Sequence, residues 1–200
     1  MTWALLIIVV IVYFAGAYEL KRRELRLTLF LWSAFGLAFI VIHAALMINF
    51  EVTLAAMEAR HVTALMNLSG INLDVINQIT VMVPDPTGWS GLKIGAESSS
   101  LLELSVFAGL ILFYPKLSYR RRITSLTIGL VGTYILNLVR LALIIVMIHT
   151  GGKPAYALAH TVVGRLVYFA GIVTLYWYLF TQHTLHVVQD QIQSSERANY

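Results

Sequence analysis

The sequence predicts an all-α protein, a multi-pass transmembrane bundle of about five helices with an amphipathic helix and a small cap or hairpin on its outer face. Three observations carry that expectation. Hydrophobic residues make up 58% of the 200 and charged residues only 12%, against about 25% charged in a soluble domain. Apolar runs near the roughly 20 residues needed to cross a bilayer recur along the chain. The basic residues, which leave a net charge of +4, gather between those runs.

The first run, 2–20, has no basic stretch ahead of it and ends at Lys21-Arg22-Arg23. That order describes a stop-transfer anchor and not a cleavable signal. The second run covers 27–49, the third, short for a span, 97–115, and the last two 124–149 and 155–182. Lys21, Arg22, Arg23 and Arg26 follow the first run, and Lys116, Arg120, Arg121 and Arg122 follow the third. The loops on the opposite side hold only Arg60, Lys93 and Lys153. By the positive-inside rule the two basic loops are cytoplasmic, which puts the N-terminus outside and the tail, 184–200, inside. Residues 1–200 then form one integral domain of a plasma membrane. The charge is a topological signal and gives no reason to expect nucleic acid.

The long connection 50–96 falls on the outer face. Leu54, Met57, His61, Leu65 and Leu68 recur at helical spacing with Glu51 and Glu58 elsewhere. This pattern predicts an amphipathic helix that lies along the membrane surface or plugs the bundle. Residues 71–83 lean toward β structure and Pro84-Asp85-Pro86-Thr87-Gly88 is a turn signal, so a hairpin or irregular cap is expected. Asn67-Leu68-Ser69 matches the glycosylation triplet, a pattern short enough to arise by chance.

Arg140 stands inside the fourth apolar run. A cation at membrane depth costs at least about 2–3 kcal/mol, so it is expected to face protein or water and to have a function. It lies about nine residues, roughly 14 Å, below the outer end of its helix. Asn137, one turn earlier on the same face, is placed to orient it. His160 occupies the first turns of the fifth run, after Gly151-Gly152-Lys153-Pro154, and Arg165 follows in the same run. Glu97-Ser98-Ser99-Ser100 opens the third run from outside, so all these groups converge on the outer third of the bundle. Each also has a plainer reading. Serine clusters cap helices, a lone histidine at an interface bonds a carbonyl, and Arg165 can pair with Glu103 across helices. His43 and His149 read as structural or interfacial, while His183 and His186 fall on the cytoplasmic side.

Taken in order, Glu97-Ser98-Ser99-Ser100-Leu101-Leu102, Asn137-Leu138-Val139-Arg140 and His160-Thr161-Val162-Val163-Gly164, with Phe169 beyond, make the chain resemble the exosortase/archaeosortase family over about 94–180. The resemblance implies a membrane cysteine peptidase or transpeptidase that is sortase-like in task though not in fold. Its partners would be the lipid bilayer and exported proteins bearing a C-terminal motif, a hydrophobic helix and a basic tail. It implies an extracytoplasmic site in which position 98, Arg140 and His160 are catalytic and Glu97, Asn137 and Arg165 support them. Small members from Gram-positive hosts are about this length.

One departure matters. The family nucleophile is a cysteine, the residue here is Ser98, and the chain contains no cysteine at all. Either a cysteine has been exchanged for serine or the serine is native. A thiolate is accessible near neutral pH, more so at a helix N-terminus beside a cation. A serine alkoxide is far harder to form, so the chain as it stands is expected to be feeble or inactive. In the family chemistry Arg140 would hold developing oxyanion charge, and His160 would be the base or the proton donor.

Other classes fit less well. A native serine favours a non-catalytic membrane assembly protein. A rhomboid-like serine protease would use Ser98 and His160 but lacks a Gly-x-Ser-x-Gly context. A transporter would show hydropathy repeats and midplane polar groups. With no cysteine and no HExxH pattern, no metal site and no cofactor are expected.

Overall fold

The computed structural model describes residues 3–95, 98–114 and 117–181. They form a helical transmembrane fold carrying one small sheet. Helices α1 (Trp3–Arg22), α2 (Arg26–Met47) and α3 (Phe50–Leu68) precede strands β1 (Asp74–Ile76), β2 (Thr80–Asp85) and β3 (Gly88–Lys93). Helices α4 (Leu101–Phe113), α5 (Tyr119–Ala157) and α6 (Gly164–Tyr176) follow, with π-helical turns over Leu158–Val163 and Trp177–Thr181. The His183, His186 and tail expectations lie outside the described residues. Three helical stretches are long and apolar enough to cross a membrane, namely α1, α2 and the path Tyr119–Leu179.

Small residues set the helix contacts, as they do where lipid removes the hydrophobic drive for helix pairing. Tyr13 fills the space beside Gly36 and Trp32 the space beside Gly16, so α1 and α2 run antiparallel. Trp32 Nε1 donates to the Tyr13 carbonyl at 3.0 Å, and Tyr13 OH donates to the Ser33 carbonyl at 3.3 Å. Gly109 of α4 sits directly on the Ala34 carbonyl of α2, where any Cβ would collide with backbone.

The path Tyr119–Leu179 has 61 residues. Straight, it would span about 90 Å, three times the bilayer core. Gly152, at φ 64° and ψ −162°, breaks it, and Pro154 follows. Such a backbone conformation is open to glycine and costly to residues with a Cβ. Beyond the break, Gly164 meets Ile144, Gly171 meets Leu136 and Leu175 meets Gly132. As one number rises the other falls, so α5 and α6 are antiparallel arms of a helical hairpin. The fourth and fifth apolar runs are those arms.

The sheet is an antiparallel meander in the order β1-β2-β3, with β2 and β3 in register from Thr80↔Lys93 to Asp85↔Gly88. Val81, Val83 and Leu92 face a core built with Ala59 and Val62 of α3 and Leu141, Ile144 and Ile148 of α5. Asp85 closes the hairpin. It accepts hydrogen bonds from Ser90 Oγ and from the Thr87 amide and hydroxyl, the last two at 2.6 Å, and those donors, Ser90 first, hold its carboxyl below the usual range. His149 Nδ1 donates to the Pro84 carbonyl at 2.6 Å. Together with Pro86 and Thr87 packed on Gly152, this bond fixes the sheet over the Gly152 end of the bundle.

Two expectations change. The buried face of α3 is Leu54, Ala55, Ala56, Glu58, Ala59, Val62 and Met66, whereas Met57, His61, Leu65 and Leu68 point outward, Leu68 at 88% exposure. The alanine stripe allows close approach to the bundle, which the larger apolar side chains would prevent. Helix α4 begins at Leu101 and has 13 residues, about 20 Å. The preceding residues, Ser98 to Ser100, are an irregular buried turn.

Candidate active site

Buried irregular backbone is tolerated only where protein or water satisfies its polar groups. The Ser98–Ser100 turn meets that condition through side chains from two other helices. The Ser98 amide donates to the Gly95 carbonyl at 2.9 Å, and the Ser98 carbonyl accepts from Asn137 Nδ2 at 2.9 Å. Ser100 adopts a left-handed conformation, φ 51°, at the N-cap of α4. Its hydroxyl does not cap that helix; it donates to Glu58 Oε1 at 2.8 Å.

Arg140 continues the chain of contacts. It is only 4% exposed, and its Nη1 donates to Asn137 Oδ1 at 3.5 Å. Its guanidinium carbon lies 5.4 Å from the centroid of the Tyr168 ring, within cation–π range. Neither Arg140 Nε nor Tyr168 OH makes a hydrogen bond among the described residues. Both residues line a cavity of about 250 Å³ with Glu103, Arg165, Phe169 and Ile172. Glu103 comes from the first turn of α4, Arg140 from α5, and Arg165 and Tyr168 from α6. Among the described residues the one ion pair is Arg23–Glu19, at 2.9 Å. Glu103 and Arg165 therefore share the cavity without closing the pair that the sequence allows.

His160 sits apart from that cavity. It lies in the π-helical turn Leu158–Val163, half-buried, its ring stacked on Tyr156 at 5.9 Å and 5°. The register Ile144/Gly164 and Leu136/Gly171 puts Tyr168 level with Arg140 and places His160 about seven residues, roughly 10 Å, nearer the Gly152 turn. The structure thus links Ser98, Asn137 and Arg140 directly and sets Arg165 on the Arg140 cavity. His160 lies about two turns further toward the sheet. Glu97 lies outside the described residues.

Two neighbours of this site do not figure as site residues in the sequence reading, which set Glu58 off the apolar face of its helix and passed over Tyr168. Glu58 is 0% exposed and faces Ser100 and Asn137. Burial pushes its carboxyl up to about 7 against the opposing pull of the Ser100 hydrogen bond, of the nearby Asn137 amide and of Arg140; Glu103 adds to the rise. Its signal is a carboxylate at helical spacing from Leu54, Ala55 and Val62, which becomes visible once the alanine side of α3 is seen as the packed one. Tyr168 carries no comparable signal, because its place beside Arg140 follows from the hairpin register alone.

These features define a membrane-embedded helical protein whose polar site is buried between helices near the sheet-bearing end. The profile of the transmembrane exosortase family matches residues 1–177, and the chain belongs to that family. The match takes in the first hundred residues as well as the last helices. Neither a curated protein nor a solved structure matches the chain. Family membership gives a membrane transpeptidase-like function.

Proposed function

We propose that the protein is an exosortase-type peptidase or transpeptidase that cleaves C-terminal sorting signals of exported proteins on the extracytoplasmic face, with position 98 as the nucleophile site and Arg140 and His160 as its partners. The observation that carries this reading is Arg140: a buried guanidinium with an unengaged Nε donor, tied through Asn137 to the backbone of Ser98. A cation fixed in a low-dielectric site before charge develops is what stabilises an oxyanion most effectively.

With a thiolate at position 98, a sulfur lone pair forms the bond to the scissile carbonyl carbon and the C=O π pair moves onto the oxygen, which Arg140 holds. Collapse expels the amine of the downstream segment, and His160 supplies the proton it needs. The upstream segment is left as a thioester, which water or an acceptor amine resolves by attack on the same carbon, regenerating the thiol. The separation of His160 from Arg140 suits a proton donor on the leaving-group side. The proposed side of action rests on length as well as charge. From Arg122 to Arg140 is 18 residues of α5, about 27 Å, close to the bilayer core. A cytoplasmic basic cluster therefore sets Arg140 near the outer interface, beside α3 and the sheet, with five helical segments as crossings.

The test is Ser98→Cys in membranes with a substrate carrying the motif, hydrophobic helix and basic tail. Cleavage should appear, and the new thiol should alkylate faster than one introduced by Ser105→Cys about two turns deeper. Absence of both gains would sink the catalytic reading. It would favour a non-catalytic assembly protein, which Ser98 as a native residue supports.

A further inference from the structure

We infer that Glu58 is a positioning residue for the nucleophile site: from the helix that precedes the sheet, it holds the Ser98–Ser100 turn in place through the Ser100 hydroxyl. This inference rests on the proposed function.

Ser100 has φ 51°, a conformation that residues with a Cβ adopt at some cost. A serine before a helix ordinarily offers its hydroxyl to the helix amides. Here it turns instead to Glu58 Oε1 at 2.8 Å, and no side-chain cap bond is made. Glu58 is fully buried and its Oε2 has no hydrogen-bond partner among the described residues. A carboxylate kept in that state is costly, and leucine at position 58 would pack with Ala55, Ala59 and Val62 without that cost. The groups around it are those of the site. Glu103 on α4 and Arg140 and Asn137 on α5 lie near it.

Two residues upstream of Ser100, the Ser98 carbonyl is held by Asn137. The turn is therefore gripped at both ends, by α5 through Asn137 and by α3 through Glu58. Freed at the Ser100 end, the strained residue can relax toward ordinary helical or extended geometry, and the side chain at position 98 then swings relative to Arg140. Misplacement of a reacting atom by about 1 Å is enough to cost about 100-fold in rate. The grip needs an acceptor oxygen at position 58 and not a charge, which separates it from a role for Glu58 in proton transfer.

The experiment uses the full chain with Ser98→Cys as parent, and adds Glu58→Leu, Ser100→Ala, their combination, and Glu58→Gln. Glu58→Leu and Ser100→Ala should each lower kcat by about tenfold or more with KM within about threefold. Each should also slow alkylation of the thiol at position 98 in proportion. The combination should be no worse than the poorer single change, because both remove the same contact. Glu58→Gln, which keeps an acceptor for Ser100, should recover to within about threefold of the parent in both measurements. The inference is overturned if Glu58→Leu behaves as the parent, if the two losses multiply, or if Glu58→Gln is as damaging as leucine. Should Glu58→Leu fail to fold, Ser100→Ala, which removes one oxygen atom, decides by the same criteria. A parent without turnover refutes the proposed function, and the alkylation rates then decide this inference alone: equal rates in all variants refute it.

Discussion

Arg140 is held in its buried place by the Tyr168 ring and the Asn137 oxygen, with Glu103 across the cavity and, among the described residues, no carboxylate in ion-pair contact. That arrangement separates its two possible roles. Arg140→Lys in the Ser98→Cys background keeps the charge and loses the planar fork. Turnover should fall by about 100-fold or more, the scale of one oxyanion donor, with the melting temperature in detergent near the parent. Arg140→Leu should be inactive and at least as stable, since a costly buried cation goes and no paired anion is stranded. A loss of stability that tracks the loss of turnover would show a packing role instead. Glu58 makes a pH prediction. Burial lifts its carboxyl from 4.5 to about 7, so the folded chain keeps a proton that the unfolded chain releases across that interval. Stability from this group is whole below about pH 4.5 and is lost as pH rises through about 7. Glu58→Gln should therefore match the parent near pH 4 and melt higher than it near pH 8. A constant difference between the two would contradict this. Ser98, Asn137 and Arg140 were legible because polar residues are rare in apolar runs and each is costly. Glu58 was not, because a carboxylate on an amphipathic helix is read as solvated until packing shows which face is inside.

At the scale of elements, Gly109 of α4 is pressed onto backbone, the Ala34 carbonyl of α2. Backbone cannot yield as a flexible side chain can, so Gly109→Val should destabilise the protein by about 1–3 kcal/mol or more. Gly95→Ala, with nothing within 4 Å, serves as the control and should melt with the parent. Equal melting of both variants would show that α2 and α4 do not pack this closely. The α3 helix and the hairpin were both visible in sequence, the first by spacing and the second by the Pro84-Asp85-Pro86-Thr87-Gly88 turn. The face of α3 was not, because large apolar residues mark the buried side of a soluble helix while alanine marks it here. The start of α4 also escaped. Ser98, Ser99 and Ser100 read as a cap from composition, yet Ser100 spends its hydroxyl on a residue 42 positions away in the chain.

For the whole molecule, orientation is the first thing to measure. A cysteine introduced by Gly88→Cys should react with an impermeant reagent added to intact cells, and one introduced by Tyr119→Cys should not. The reverse pattern would overturn the proposed side of action. The apolar runs were readable because the bilayer fixes their length. The turn between the last two was readable as well, because Gly151-Gly152-Lys153-Pro154 interrupts the apolar pattern where the backbone breaks at Gly152.

Helix α6 buries only Gly164 and Tyr168 of its 13 residues, and Phe169, on the cavity wall, is 68% exposed. The wall of the Arg140 cavity is thus a helix that leaves most of its apolar surface uncovered. On the proposed reading, a substrate still anchored by its hydrophobic helix arrives sideways, through lipid, and the encounter is a two-dimensional search. What governs its frequency is the number of substrate molecules per unit of membrane area, a quantity that dilution of the surrounding water leaves untouched.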